Sequence, residues 1–532
     1  MKKLIFPFLP LMLMLLYACQ REASLQAVVE QCDGKVAEYV EEFNVADDEL
    51  YQQLFPNNVA GQFMHENIPL FECPDKNLEK TWYFRWWTFR KHIKDTPGGY
   101  VITEFLPNVY WAGKYNAINC PAMHHFAEGR WLKNPIYLVD YARHWCREKG
   151  DATKYSFPMA YSLLEYHKVH PDTALLAELY DDLTAIYAMW RSKCWDEEAG
   201  MYWHVDNLDG MEFSISGSYS PDATGYRTTI NSYMYADASA LAVIAGILGR
   251  EDDARYYQAE ASVLKQIVNE RLWDEEARFY KVIPRHCDMS FSSVRELHGY
   301  VPWMFDIPAR DRSDAWSQLA DTLGFKAPYG PTTAERRAAA FAVSYQGHEC
   351  QWNGPSWPFA TAQTLTALAN ALHRFGEDGA MTKTLYLETL RTYAHSHRRT
   401  TEDGREVCWI DENINPYTGE WIARRRLIDA GALPRERGKD YNHSTFCDLI
   451  ISGLIGIQPQ IDGSLVIHPL IPEGEWKWFS LTRIPWAGKE LSIVYDKTGK
   501  HYGTKAGLNV YVDGKRVAHS RTYATRPIHI KQ

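Results

Sequence analysis

Between residues 121 and 457 the apolar residues recur almost without interruption at the spacing of amphipathic helices. Each such helix must bury its apolar face against a neighbour. The pattern therefore predicts a mainly α fold over this region. The predicted helices are 136–146, 159–168, 173–193, 232–248, 253–272, 313–322, 357–375, 382–395 and 444–456.

A short internal repeat indicates how these helices are arranged. The sequence WDEEAGMY at 195–202 recurs as WDEEARFY at 273–280, 78 residues later. That interval accommodates two helices with their loops, and each copy follows a predicted helix. Repeated helical hairpins favour a toroid of paired helices over a simple bundle. The acidic residues of the repeat are predicted to be turn and cap residues.

The pattern changes near residue 458. Short runs of alternating apolar residues follow, separated by turn pairs such as Asp462-Gly463 and Asp513-Gly514. Short strands at such spacing are typical of a β-sandwich. We therefore predict a helical domain over 81–457 and a small C-terminal β-sandwich over 458–532.

Residues 1–19 have the form of a bacterial secretory signal. Lys2 and Lys3 precede an apolar run that is shorter than the ~20 residues of a transmembrane helix. Residues 16–19, LYAC, are similar to a lipobox, in which the cysteine is lipidated. We expect an exported lipoprotein, periplasmic or anchored in the outer membrane through Cys19 alone, with 20–80 as a tether and first helical region. Tyr17 is unusual in a lipobox, so plain secretion is the alternative.

Composition excludes several other classes of protein. The net charge is −10, whereas nucleic-acid binding favours a basic surface. The sequence contains no glycine-rich phosphate loop, and its cysteines lack the spacing of zinc ligands. We therefore predict no cofactor and no metal. The aromatic share of 14% suits contact with sugar rings, although a large helical core also uses aromatic residues.

The stretch 209–237 carries the first candidate catalytic group. Glu212 lies there in a loop rich in Ser, Gly and Tyr, between two helical segments. Loops held by a rigid scaffold commonly carry chemistry. Glu212 is the predicted general acid, and Asp222 is the alternative. The residues predicted to bind sugar hydroxyls nearby are Tyr226, Arg227 and Asn231.

Three stretches resemble the six-hairpin, (α/α)6-barrel glycosidases, closest to the glycoside hydrolase family 63 and mannosylglycerate hydrolase-like group. Residues 210–214, GMEFS, are similar to that group's Gly-Met-Asp-Asn-Ser segment. Residues 352–358, WNGPSWP, are similar to its Trp-Arg-Gly-Pro-x-Trp segment. Residues 412–420, ENINPYTGE, are similar to its Glu-x-x-x-Pro-x-Thr-Gly segment. The order along the chain also matches, which implies an (α/α)6 toroid that acts on an oligo- or polysaccharide.

The resemblance also implies roles. Glu212 would be the general acid and Glu412 the general base of an inverting hydrolase of α-linked glycans. Two departures stand out: Glu212 replaces an Asp, and Asn353 replaces an Arg, which points to a different substrate. The residues implied to line the sugar pocket are Trp352, Asn353, Gly354 and Trp357. His348, just before them, is predicted either as a pocket residue or as a core histidine, and Glu349 as a reserve carboxylate.

Two other functions compete with hydrolysis. A polysaccharide lyase can use an (α/α) toroid, but it needs a Tyr/His/Arg or Asn/His set and a group that neutralises the uronate charge. A non-catalytic glycan-binding lipoprotein would give one of the two glutamates no role. The pair of carboxylates together with the Pro-x-Thr-Gly segment favours hydrolysis.

Overall fold

The computed structural model describes residues 25–343, 348–523 and 526–531. The predicted signal segment, with Cys19, lies outside the described residues. Within these ranges, no helix is both long enough and apolar enough to cross a membrane.

The helices predicted from periodicity are largely present. The prediction 173–193, for example, corresponds to a helix Thr173–Cys194, and 382–395 to a helix Lys383–Ser396 that begins after the capping residue Thr382. The α-helices are α1 (Leu25–Val45), α2 (Ala60–Asn67), α3 (Lys76–Lys91), α4 (Ala122–Gly129), α5 (Ile136–Arg147), α6 (Lys149–Ala152), α7 (Met159–Val169), α8 (Thr173–Cys194), α9 (Thr228–Ile247), α10 (Glu251–Arg271), α11 (Val301–Met304), α12 (Ser317–Ala320), α13 (Pro358–Phe375), α14 (Lys383–Ser396) and α15 (Ile422–Asp429).

Two predicted helices differ in form. The segment 313–322 is mostly a 3-10 helix, Arg310–Trp316, that continues into the short α12. The segment 444–456 contains a π-helix, Leu449–Leu454. The Tyr386 hydroxyl donates a hydrogen bond to the carbonyl of Leu449 at 2.6 Å, and a side chain inserted into a helix in this way widens its turns.

The helices alternate between an outer and an inner ring. The inner helices α4, α7, α9, α11, α13 and the π-helix contact one another in this order. The ring closes where the Glu128 carboxylate on α4 accepts the backbone N–H groups of Cys447 and Asp448 at 2.9 and 2.8 Å, just before the π-helix. The outer helices α3, α5, α8, α10, α12 and α14 each precede an inner helix along the chain. The described residues thus form an (α/α)6 toroid.

Helix α3 is an outer helix that is nevertheless buried on nearly every side. Its outward face is covered by α1, where Tyr39 stacks on Tyr83 with ring centroids 5.0 Å apart. Phe71 covers Trp82 at 5.2 Å. This second covering layer explains why the sequence of α3 is aromatic all round.

The C-terminal region forms a small β-sandwich of antiparallel sheets. Its larger sheet has the order β1-β15-β16-β17-β18 and its smaller sheet the order β13-β14-β19. The remaining strands form short ribbons within the toroid. The strands are β1 (Leu70–Glu72), β2 (Ile93–Thr96), β3 (Gly99–Ile102), β4 (Trp195–Asp196), β5 (Met201–Tyr202), β6 (His204–Val205), β7 (Thr224–Tyr226), β8 (Trp273–Asp274), β9 (Phe279–Tyr280), β10 (Ile283–Pro284), β11 (Arg398–Thr400), β12 (Glu406–Cys408), β13 (Ile457–Pro459), β14 (Leu465–Ile467), β15 (Trp478–Trp486), β16 (Lys489–Asp496), β17 (Gly507–Val512), β18 (Lys515–Ser520) and β19 (Ile528–Ile530).

The N-terminal segment ties the two regions together. Strand β1 adds to the edge of the C-terminal sheet, with Phe71 opposite Leu481. On α1, the Cys32 sulfur lies 3.3 Å from the Ser480 hydroxyl. Residues that precede the toroid therefore complete the sheet that follows it, and they close an edge that would otherwise be open to pairing.

The repeated WDEEA sequences form turns, as predicted. The Asp196 carboxylate accepts the backbone N–H groups of Glu198 and Ala199, both at 3.1 Å. Asp274 does the same for Glu276 and Ala277 at 2.9 and 3.0 Å. Each aspartate thereby holds the turn that ends an outer helix.

Candidate active site

The predicted site residues converge at one end of the toroid. Each of the loops that carry them leads from an outer helix into the N-terminus of an inner helix. Glu212 precedes α9, Trp352 precedes α13, and Glu412 precedes the π-helix. A fourth loop, between α3 and α4, carries Glu104. Because inner helices of such a toroid run in the same direction, these loops meet at one end of it. The space that they surround is the candidate active-site cleft.

A buried ion pair fixes the backbone next to Glu212. Arg227 Nε donates to Asp209 Oδ2 at 2.7 Å, and neither side chain is exposed. The hydroxyl groups of Ser156 and Thr229 also donate to Asp209. Gly210 then turns with φ +72°, where an added Cβ would come within 2.6 Å of the Cys120 sulfur. The loop is thus held rigidly just before its carboxylate.

Glu212 is mostly enclosed by its surroundings, with a small part of the residue exposed. Its backbone carbonyl accepts the N–H of Trp352 at 3.0 Å, which joins the loops before α9 and α13. Burial raises the pKa of the Glu212 carboxyl to about 8, and the negative charges of Glu412, Asp206 and Glu349 add to the shift. Glu212 therefore carries a proton at neutral pH.

The carboxylate of Glu412, unlike that of Glu212, is bound by neighbouring side chains. Only 1% of it is exposed. Arg437 donates to Glu412 Oε1 through Nη2 at 2.6 Å and through Nε at 3.0 Å. The Cys350 thiol donates to Oε2 at 3.2 Å. A guanidinium that donates two hydrogen bonds to a carboxylate stabilises its ionised form, so the geometry favours a charged Glu412.

Arg437 joins several parts of the cleft. Besides Glu412, it binds Glu349 Oε1 through Nη1 at 2.8 Å. Its guanidinium lies over the ring of Trp111 at 5.1 Å and faces the ring of Phe105 at 5.8 Å. Burial alone would raise the pKa of Glu349, but a hydrogen bond from its own backbone and the contact with Arg437 keep that pKa below its usual value. Glu349 is thus an ionised partner of Arg437 beside the two candidate catalytic groups.

Glu104 adds a further buried carboxyl to the cleft. Its Oε1 accepts the Tyr441 hydroxyl at 2.6 Å. Burial raises the pKa of Glu104 to about 8, with smaller contributions from the charges of Glu412 and Glu212. The influence of both glutamates shows that Glu104 belongs to the same cluster of carboxyl groups.

The Trp–Gly–Pro stretch forms one wall of the cleft. The rings of Trp352 and Trp357 stack with centroids 4.9 Å apart. Gly354 packs so closely that a Cβ would come within 2.3 Å of the Ala342 carbonyl. The Asn353 side-chain oxygen is buried and has no hydrogen-bond partner among the described residues. Such a group is suited to a ligand hydroxyl, so these residues stay candidates for contact with a sugar.

The three residues predicted to bind hydroxyls after the Glu212 loop are engaged elsewhere. Arg227 is fully buried against Asp209. Asn231, also fully buried, donates to the carbonyl of Tyr202 at 2.8 Å and accepts its N–H at 3.0 Å. The Tyr226 hydroxyl donates to Asp196 at 3.0 Å, in the turn that ends α8. For Tyr226 and Asn231 the structure corrects the prediction, because their polar groups are paired within the protein and help to position the loop. Arg227 also holds the loop through Asp209, but its Nη1 is buried without a hydrogen-bond partner among the described residues.

His348 lies at the rim of the cleft and is exposed, so the alternative of a core histidine is wrong. Its ring stacks on Phe213 with centroids 5.6 Å apart. Asp222, the alternative acid, is half exposed and accepts hydrogen bonds from Thr224 and Ser220. The hydrogen bond from Thr224 is the main cause that lowers the pKa of Asp222 to about 2. A general acid needs a raised pKa, which favours Glu212 over Asp222.

Two residues of the cleft were missed at the sequence level. Arg437 lies in the run LPRERGKD, whose charges are typical of a solvated loop. Cys350 was counted only among the cysteines that lack the spacing of zinc ligands. No local pattern marks either residue, and only the folded arrangement brings them to Glu412.

The opposite end of the toroid contains a separate cavity of about 520 Å³. It is lined by the C-terminal halves of inner helices, including Ser239 on α9 and Asn370 on α13. Its lining includes none of the carboxylates described above. Within the described ranges, no group of His, Cys, Asp and Glu residues could hold a metal ion.

Comparisons with known proteins agree with this arrangement. The family model described as "Mannosylglycerate hydrolase MGH1-like glycoside hydrolase domain" matches residues 114–444, more than half of the chain. The model "Glycosyl hydrolase family 65, C-terminal domain" matches residues 460–519.

Two of the similar solved structures illustrate the likeness. One titled "Sialidase" has a TM-score of 0.85 at 38% identity and covers 93% of this chain and 44% of that one. The GH78 family rhamnosidase of Bacillus sp. GL1 has a TM-score of 0.56 at 14% identity and covers 86% of this chain and 42% of that one. The second likeness supports the fold alone. The present chain spans less than half the length of either protein.

Proposed function

We propose, from the premise that this chain belongs to the mannosylglycerate hydrolase MGH1-like glycoside hydrolases, that it hydrolyses α-linked glycans by an inverting mechanism. In this proposal Glu212 is the general acid and Glu412 is the general base. The substrate is an oligo- or polysaccharide, and the reaction uses no cofactor.

One observation carries the proposal: the two glutamates are prepared for opposite protonation states. Glu212 has a pKa raised to about 8, mainly by burial, and so holds a proton at neutral pH. Glu412 accepts two hydrogen bonds from one guanidinium, which favours its charged form. An inverting glycosidase needs one protonated and one ionised carboxyl group on either side of the scissile bond.

The reaction follows from these states. Glu212 donates its proton to the glycosidic oxygen while the bond to the anomeric carbon breaks. Glu412 removes a proton from a water molecule, whose oxygen attacks the anomeric carbon from the opposite face. An α-glycoside therefore yields a β-sugar as its first product. Glu212 ends ionised and Glu412 protonated, so a proton must return to Glu212 before the next turnover.

The hydrogen bonds of Glu412 suggest which of its oxygens acts. Arg437 occupies Oε1 with two N–H groups. Oε2 accepts only the weak thiol donor of Cys350 among the described residues. Oε2 thus keeps the lone pair that can accept the proton of the attacking water, while Arg437 fixes the carboxylate plane.

The test is a panel of α-glucosides, α-mannosides, α-galactosides and α-rhamnosides, with an α-sialoside added because one similar structure is titled "Sialidase". Glu212→Gln and Glu412→Gln are compared with Asp222→Asn, which removes a nearby but solvated carboxylate. Proton NMR follows the first anomer that is released. We expect each Gln variant to lose at least about 10³-fold in kcat, in line with the loss of an essential acid or base, and Asp222→Asn to stay near wild type.

Three results would overturn parts of the proposal. An active Glu212→Gln enzyme would place the acid elsewhere. A first-formed α-anomer would exclude inversion. An unsaturated uronate among the products would indicate a lyase, and glycan binding without any cleavage would indicate a non-catalytic protein.

The cellular location is a second part of the proposal. The lipobox-like sequence supports export and a lipid anchor at Cys19. When the wild-type chain is expressed in a Gram-negative host, it should fractionate with the membranes and be released from them by detergent. The Cys19→Ala variant should instead be soluble or retained with its signal segment. A wild-type protein found free in the periplasm would favour plain secretion.

A further inference from the structure

Two exposed aromatic side chains lie near the candidate catalytic groups. Phe213 directly follows the candidate acid and is 54% exposed, with its ring stacked on His348. Tyr110 is 95% exposed, and its ring meets the ring of Trp111 edge-on at 4.8 Å. Large apolar groups displayed so openly next to a cleft often mark a binding surface.

A continuous series of contacts connects these two aromatic residues. The ring of Trp111 lies under the Arg437 guanidinium at 5.1 Å. Arg437 binds Glu349, the neighbour of His348 in sequence, at 2.8 Å. Tyr110 and Phe213 are therefore connected through Arg437, the guanidinium that holds Glu412.

The backbone of Phe213 adopts a strained conformation. Its φ is +60°, a left-handed conformation that costs a residue with a Cβ some free energy. Side-chain packing does little to offset this free-energy cost, because more than half of the Phe213 side chain is exposed to solvent. Strain of this kind is concentrated at functional sites.

We infer that Phe213 and Tyr110 form binding subsites for the sugar rings of the leaving group, so that the substrate chain continues beyond the scissile bond. This inference rests on the proposed function. The apolar face of a sugar ring packs against an aromatic ring, while its hydroxyl groups stay in water. Arg437, the cation between the two rings, is already engaged by two carboxylates. It is therefore not available for a small acidic leaving group.

The experiment compares two substrates with the same terminal sugar: a methyl glycoside and an oligosaccharide. The variants are Phe213→Asn, since Asn tolerates the positive φ, and Tyr110→Ala. The matched control is Tyr256→Ala, which removes an aromatic side chain that is also 54% exposed but lies on the outer helix α10. We expect each variant to raise the KM of the oligosaccharide relative to that of the methyl glycoside about 3- to 10-fold, as for the loss of one ring contact. Tyr256→Ala should leave this ratio unchanged.

A second readout does not depend on turnover. The affinity of the same oligosaccharides for Glu412→Gln is measured by calorimetry, with and without Phe213→Asn. Affinity that rises with chain length and falls when Phe213 is replaced supports the inference, even if the wild type cleaves none of the substrates. The inference is overturned if catalysis depends on Glu212 and Glu412 but the ratio of the two KM values is unchanged in both variants. That result would leave the proposed function intact.

Discussion

The loops that carry Glu212 and Glu412 hold the same functional group by contrasting means. The Glu212 loop is rigid in its backbone, through Gly210, Asp209 and Arg227, but no described side chain forms a hydrogen bond to its carboxyl. The Glu412 loop places the carboxylate itself in a fork of donors from Arg437. The first arrangement favours a neutral acid and the second an ionised base, so one residue type can serve two roles because the surroundings differ.

Removal of the Arg437 guanidinium should have the largest effect on the difference between the two loops. Arg437→Met should leave the buried carboxylate of Glu412 and the partly buried one of Glu349 without their shared cation. Breaking a buried pair costs about 3–5 kcal/mol, and the base should lose the orientation that Arg437 gives it. We expect kcat to fall about 10²- to 10³-fold, as for the loss of general acid–base catalysis, with a lower melting temperature, measured by steady-state kinetics and calorimetry.

The matched control for this variant is Arg425→Met. Arg425 also pairs with a carboxylate, Asp429 at 3.0 Å, but both side chains are mostly exposed. Exposed pairs contribute little, so this variant should resemble the wild type. An Arg437→Met enzyme with nearly normal kcat would mean that Glu412 does not need Arg437 in order to act.

The pH dependence of activity sharpens the contrast between the two loops. Glu212 must be protonated in order to act, and its pKa is raised to about 8. The value of kcat/KM should therefore fall about tenfold per pH unit above pH 8. A descending limb near pH 5 instead would identify an ordinary solvated carboxyl as the acid. The measurement is a pH profile of kcat/KM at concentrations far below KM.

Protein stability provides the control for that profile. Between the usual pKa of an unfolded Glu, about 4.3, and about 8, the folded protein keeps a proton on Glu212 that the unfolded chain has lost. The free energy of unfolding therefore falls as pH rises through this window. Glu212→Gln removes that contribution, so its melting temperature relative to the wild type should increase from pH 5 to pH 9. An equal difference at both pH values would contradict the raised pKa.

The sequence predicted the helical framework well, because amphipathic spacing is a local property. The turns at Asp196 and Asp274 were also predictable, since each aspartate binds backbone groups two and three residues away. The pairing of β1 with β15 was not predictable in this way. It joins Phe71 to Leu481 across most of the chain, and nothing in either segment specifies the other.

The same distinction applies to the cleft. The two candidate catalytic glutamates were found because they lie in recognisable segments. Tyr226, Arg227 and Asn231 were assigned to the substrate because they are polar and follow Glu212, but they bind Asp196, Asp209 and the Tyr202 backbone within the protein. Polarity in sequence does not distinguish a group that binds substrate from a group that holds a loop.

Cys350 provides the smallest and most specific test of the contrast. Its thiol donates one weak hydrogen bond to Glu412 Oε2 at 3.2 Å, the oxygen that we propose activates water. A single hydrogen bond contributes about 0.5–1.5 kcal/mol, so Cys350→Ala should lower kcat about 2- to 10-fold, whereas Cys350→Ser, which keeps a donor, should retain most of the activity. Cys287→Ala, at an exposed cysteine, is the control. If Ala and Ser at position 350 behave alike in steady-state kinetics, the thiol only fills space, and Arg437 alone holds the base.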